Sequence, residues 1–320
     1  MTKKAPFSWG NKEKFISLSL FYFLRSMKTI ITLLLMLFAI PSVAQNTKCF
    51  KGELMALNSP YVIYCTHSDS EEKEKNVHFW NSKTNQTDSL FSIEAKVWND
   101  ILYYCDNNTI KKRHLSKDNN KDSILLKTQY NIENFHIGDN DIIVAEVDSS
   151  SEKVNIMYYV DGKCSFRQSV PCHSEEMEWQ ISTIYSFDDY FLISVQYDLY
   201  IFDKKEKTLT NFIKDCLDFS MDETGNIYYT QNSEDFLSKT LYVSNIKNPT
   251  RKCEIAMTSG SIKMYGYMTN NKNKTYALID DKQYELKDQS LQPISNMSLS
   301  DDKGCKVIIN PKEENFILNY

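Results

Sequence analysis

Short runs rich in β-branched and aromatic residues recur along the chain, each behind a cluster of turn residues. They are YVIYC (61–65), ILYYC (101–105), IIVAEV (142–147), FLISV (191–195), NIYYT (226–230), TYALI (275–279) and KVIIN (306–310). The runs begin 40, 41, 49, 35, 49 and 31 residues apart. Turns such as Asn58-Ser59-Pro60, Gly138 to Asp141 and Asp301 to Gly304 precede them. Seven occurrences at this period, each followed by further strand-like runs, predict an all-β chain folded as a β-propeller of four-stranded antiparallel blades.

One unit shows the pattern whole. ISTIYSF (181–187) turns at Asp188-Asp189 into FLISV, then at Tyr197-Asp198 into LYIFD (199–203), and then over 204–207 into TLTNFI (208–213). The next unit repeats it with CLDFSMD, NIYYT, TLYVSNI and TRKCEIA. No stretch after residue 45 keeps a capped apolar period of 3.6 residues, which excludes a helical solenoid. The last unit has only three strands, MSLSD, CKVIIN and ENFILNY. An extra run, Thr47 to Lys51, precedes the first inner strand at Glu53 to Leu57. An open blade edge leaves backbone donors and acceptors unpaired, so the N-terminal run is predicted to complete the last blade and close the ring. Seven blades are preferred on this ground; six longer ones are the alternative.

FSMDETGNIYYT (219–230) resembles the D-x-x-G-N-I-Y turn of NHL-type and related six- or seven-bladed propellers of secreted bacterial proteins. In that family the Asp and Gly shape the hairpin between the first two strands of a blade. The resemblance implies architecture and carries over no catalytic residue. This fold hosts binding scaffolds, lactonases, lyases and peptidase-associated domains alike.

The first 44 residues are read as lying outside the fold. In MKTIITLLLMLFAIPSVAQ (27–45), Met27 and Lys28 form a positive start, Ile30 to Ile40 an apolar core, and Ser42-Val43-Ala44 a small-residue cleavage site. The apolar run is shorter than the roughly 20 residues of a bilayer span. Residues 27–44 are therefore expected to be a signal peptide, residues 1–26 a stretch upstream of the true start or an extended n-region, and residues 45–320 a single exported propeller domain, periplasmic or extracellular. An uncleaved anchor, making the chain a sensor ectodomain, is the competing reading.

A hydrophobic fraction of 42% excludes a disordered chain, and 8 Gly in 320 residues exclude a collagen-like one. Cleavage after Ala44 removes six of 37 Lys and Arg and one of 42 acids, leaving 31 positives against 41 negatives, a net charge of −10. That balance disfavours nucleic acid and anionic membranes as partners.

The motifs of local active-site chemistry are missing: no Gly-x-Ser-x-Gly, phosphate loop, dinucleotide fingerprint, His-Glu-x-x-His or Cys-x-x-Cys occurs. No cofactor or metal is expected. Of the eight cysteines, Cys164 and Cys172 are the nearest pair for a disulfide. Buried free thiols are preferred, because Cys65 and Cys105 end matching strands of neighbouring blades. His78 and His136 fall inside strands and are read as packed side chains, and Trp80 and Trp98 as core or inter-blade residues.

The top face, where inner strands begin, is predicted to carry acidic loops at 67–76, 172–179 and 231–239. Within them PCHSEEMEWQ (171–180) is the leading site candidate. Trp179 would stack on a sugar or peptide, Glu178 and His173 would meet polar groups, and Glu175 and Glu176 would add negative charge. Trp179 as the first core residue of the next blade is the competing assignment. The expected function is a non-catalytic, monomeric binding or scaffold module for a protein, peptide or carbohydrate, with no membrane contact once the leader is removed. The alternative is a propeller hydrolase, lyase or lactonase at the channel mouth, drawing on Glu94, Glu133, Glu178 and Asp215.

Overall fold

The structure is a computed structural model that describes residues 46–66, 75–92, 94–98, 100–115, 121–148, 150–172, 183–234, 236–269, 272–301 and 305–320. Residues 1–45 and most of the loops predicted to be acidic lie outside these residues.

The chain opens with β1 (Thr47–Lys51) and then builds blade after blade. Blade 1 is β2 (Glu53–Asn58), β3 (Tyr61–Thr66), β4 (Lys75–Asn81) and β5 (Gln86–Ser92). Blade 2 is β6 (Ala95–Trp98), β7 (Ile101–Asp106), β8 (Thr109–His114) and β9 (Ser123–Lys127). Blade 3 is β10 (Asn131–Ile137), β11 (Asp141–Asp148), β12 (Lys153–Val160) and β13 (Lys163–Pro171). Blade 4 is β14 (Ile184–Phe187), β15 (Tyr190–Val195), β16 (Asp198–Asp203) and β17 (Thr208–Ile213). Blade 5 is β18 (Asp218–Met221), β19 (Asn226–Asn232), β20 (Lys239–Asn245) and β21 (Asn248–Thr258). Blade 6 is β22 (Ile262–Thr269), β23 (Lys272–Ile279), β24 (Lys282–Lys287) and β25 (Ser290–Pro293). Blade 7 is β26 (Met297–Ser300), β27 (Lys306–Asn310) and β28 (Asn315–Asn319), completed by β1. The chain is a seven-bladed β-propeller, every blade an antiparallel sheet of four strands.

Each recurring run is the second strand of its blade. Such a strand is covered on both faces, so it reads as a continuous apolar run and not as an alternation. In β15, Phe191, Ile193 and Val195 enter the core between blades 3 and 4, while Leu192 enters the core between blades 4 and 5. In β7, Leu102 and Tyr104 pack toward blade 1 and Tyr103 and Cys105 toward blade 3. The core is thus a ring of inter-blade layers.

Closure rests on β1. It pairs antiparallel with β28 from Thr47 opposite Asn319 to Lys51 opposite Asn315. Phe50 stacks on Phe316 at 4.9 Å and meets the edge of Trp80 at 5.3 Å. The single residue linking β1 to β2 is Gly52. Its φ is +117°, and a Cβ there would lie 2.3 Å from the Cys65 carbonyl oxygen. Only glycine fits this crossover from the last blade to the first.

Two features narrow the axis. At their bottom ends β2 and β22 pair directly in parallel, Ala56 with Met268 and Leu57 with Thr269, so blade 7 does not separate blades 1 and 6 there. From blade 4, the Tyr185 hydroxyl reaches Ser220 Oγ at 3.4 Å. It comes so close to Gly266 of blade 6 that a Cβ there would lie 2.3 Å away.

The DETGN turn of blade 5 is organised by one carboxylate. Asp222 accepts from the backbone amides of Thr224 and Asn226, the Thr224 hydroxyl, the Asn226 amide group and the Tyr228 hydroxyl, at 2.7–3.1 Å. Gly225, with φ +78°, closes the turn. The same clasp recurs in blade 7, where Asp301 accepts from the Cys305 amide at 3.0 Å.

Candidate functional site

His173, Glu175, Glu176, Glu178 and Trp179 all lie outside the described residues. The other acids proposed for the top face are described. Glu94 pairs with Lys96 at 3.1 Å and accepts from the Asn134 amide at 3.3 Å, joining blades 2 and 3. Glu133 falls at a register shift in β10, between Ile132 and Asn134, a device that re-aims a side chain. The charges of both act on the Cys105 thiol. Asp215 is exposed on the linker into blade 5, with φ +56°.

Three residues beyond Asp215, Asp218 bridges two inner strands. Its carboxylate accepts from its neighbour Phe219 N–H at 2.9 Å and from Met264 N–H of blade 6 at 2.6 Å. Burial pushes its pKa up to about 6, against the pull of those amides and of Lys239 and Lys263.

The bottom face holds a better-formed site. A cavity of about 410 Å³ opens there, lined from four blades by Trp98 (blade 2), His136 and the turn 138–141 (blade 3), Ser186 and Lys204 (blade 4) and Asn273 (blade 6). Small-molecule sites run from about 300 to 1,000 Å³. The cavity exists because inner strands end side by side: Trp98 is the last residue of β6, Ile137 of β10, and Ser186 is one from the end of β14.

Its polar groups hold one another in place. Trp98 donates its indole N–H to Asp139 Oδ1 at 3.2 Å. Asp141 Oδ2 accepts from the Tyr158 hydroxyl at 2.9 Å and pairs with Lys204 Nζ at 3.4 Å. Lys204 also reaches Ser186 Oγ at 3.4 Å and lies 4.2 Å above the Phe191 ring. A Cβ on Gly138 would fall 2.0 Å from Asp141 Oδ1, so the clamped carboxylate requires glycine at that turn. Burial, reinforced by the contact with Asp141, raises the Tyr158 pKa and keeps the phenol protonated.

His136 lies at the buried side of this cavity, 7% exposed, its ring 5.7 Å from Phe191 in an edge-on contact. Burial, with the charges of Lys96 and Lys204, pushes its pKa down to about 3, although a hydrogen bond to the Ile184 backbone works the other way. The imidazole is neutral, and its Nδ1 has no hydrogen-bond partner.

His78 is packed as expected, stacked on Tyr64 at 4.8 Å, and Trp80 is fully buried. Trp98 and His136, read as packing residues, also line the cavity. Asp139, Asp141 and Lys204 were legible only as turn residues. The available signal was an acid-rich turn, Gly-Asp-Asn-Asp, one blade after a Trp that closes an inner strand. All eight cysteines are free thiols, and Cys65, Cys105, Cys216 and Cys305 are buried. Among the described residues no His, Cys, Asp and Glu side chains gather in a metal-holding group.

No family model matches the chain, and no curated protein matches it. Solved structures are similar in fold. The β-propeller domain of the Trilobed protease from Pyrococcus furiosus has a TM-score of 0.52 and 14% identity, over 85% of this chain and 94% of that one. Pyrococcus horikoshii acylaminoacyl peptidase gives 0.51 and 10%, over 82% of this chain and 49% of that one. A chain of a mitotic checkpoint complex gives 0.51 and 10%, over 87% and 95%. At these identities the likeness is one of fold alone. The Pyrococcus furiosus domain is described as having an open velcro topology, whereas here β1 and β28 fasten the ring.

Proposed function

We propose that this chain is an exported, non-catalytic binding module of the NHL-like propeller type, taking its ligand at an axial mouth of the ring. The observation that carries the reading is the bottom cavity, where side chains from four blades converge and restrain one another. Preorganised polar groups around a concave, partly aromatic surface favour binding. The same groups are poorly suited to proton transfer. Tyr158 and Lys204 clamp Asp141, and a histidine with a pKa of about 3 is a weak base near neutrality.

An enzymatic reading has one observation in its favour. Asp218, with a pKa of about 6 at the top end of an inner strand, has the acidity that general acid–base work uses. One experiment separates the two. Residues 45–320 are incubated with panels of oligosaccharides, peptides and lactones, following thermal shift and, by mass spectrometry, consumption of each compound. Binding without consumption is expected. Saturable consumption lost in Asp218→Asn would overturn the binding-only reading. Export is tested by sequencing the N-terminus of secreted chain, with Gln45 expected first.

A further inference from the structure

The chemistry of the bottom cavity selects among ligands. We propose that it binds one or two rings of a neutral sugar, an inference that rests on the binding-module reading and deepens it. Trp98 supplies a flat surface among the lining residues, and its ring is fixed in place by Asp139. The CH face of a sugar ring packs on such a surface while its hydroxyls reach outward.

Around this ring, acceptors and donors alternate. Asp139 is bonded through Oδ1 to Trp98 and Asp141 through Oδ2 to Tyr158 and Lys204, which leaves Asp139 Oδ2 and Asp141 Oδ1 as acceptors. Asn140, Asn273 and Lys204 carry N–H donors. A cation entering here would face Lys204, and an anion would face Asp139 and Asp141, each giving up hydration beside a like charge. A hydroxyl group both donates and accepts, so adjacent hydroxyls satisfy a carboxylate and an ammonium or amide together.

The test is calorimetric titration of residues 45–320 with D-glucose, D-galactose, D-mannose, N-acetyl-D-glucosamine, maltose and cellobiose, and with D-glucosamine and D-glucuronate as charged counterparts. At least one neutral sugar is expected to bind, and the charged analogues more weakly. Asp141→Asn is expected to weaken it roughly tenfold, the loss of about one charge-assisted hydrogen bond, and Trp98→Ala roughly tenfold through loss of the stacking surface. Asn273→Ala, on an open lining position, tests the site where a core change upsets folding; its affinity should fall with no change in thermal midpoint. If no neutral sugar binds at millimolar concentration while a peptide or other panel compound does, the sugar assignment fails and the binding reading stands. Sugar binding that survives all three variants refutes this cavity as the site. Consumption of the sugar, with binding still lost in the variants, upholds the cavity and overturns the binding-only reading.

Discussion

His136 and Asp218 carry opposite pH signatures. The His136 pKa falls from 6.5 to about 3 on folding, so its contribution is full above about pH 6.5 and is lost as pH falls toward 3. The Asp218 pKa rises from 3.8 to about 6, so its contribution is full below about pH 4 and is lost as pH rises through 6. Between about pH 4 and 6 the two slopes oppose each other, each about 1.4 kcal/mol per pH unit. Urea unfolding across that window should show stability climbing more steeply with pH in Asp218→Asn than in the wild type, and less steeply in His136→Phe. The thiols make a second residue-scale case. Burial raises the pKa of Cys105 and pushes that of Cys216 up to about 12, while Cys49, Cys164 and Cys253 are exposed. Alkylation of folded protein, read by mass spectrometry, should label those three promptly. Cys65, Cys105, Cys216 and Cys305 should be labelled only on unfolding.

At the scale of elements, turns and crossovers are set by single residues. Gly52→Ala places a Cβ against the Cys65 carbonyl in a left-handed conformation and should cost about 1–3 kcal/mol. Phe50→Ala empties a position among Phe316, Trp80 and Tyr64 and should cost about 3–5 kcal/mol. Asp222→Ala removes the acceptor that five donors share and should cost about 2 kcal/mol or more. Denaturant midpoints at constant slope would check all three, and an unchanged midpoint would contradict the role given to that residue.

For the ring as a whole, β1 is a fastener and not an appendage. Without residues 45–51 blade 7 would keep three strands, and β28 would expose the edge that β1 now covers. The expected outcome is a lower thermal midpoint and new protease cleavage within 297–320, with the other blades cut later. A midpoint equal to that of the intact chain would mean that closure adds nothing to stability.

Seven second strands were readable because each is buried on both faces, and that burial writes itself as an unbroken apolar run. The completing role of Thr47 to Lys51 was readable too, since a three-strand ending leaves an edge that needs a partner. The candidate site was not. Asp139, Asp141, Tyr158, Lys204 and Asn273 come from three blades and lie up to 134 residues apart in sequence, from 139 to 273. Nothing local distinguishes their acids and lysine from any solvated turn. The direct pairing of β2 with β22 and the reach of Tyr185 to Gly266 were equally hidden. Periodicity along a chain reports which faces of a strand are covered. Only the curvature of the closed ring decides which strand ends meet at the axis, and that meeting makes the cavity.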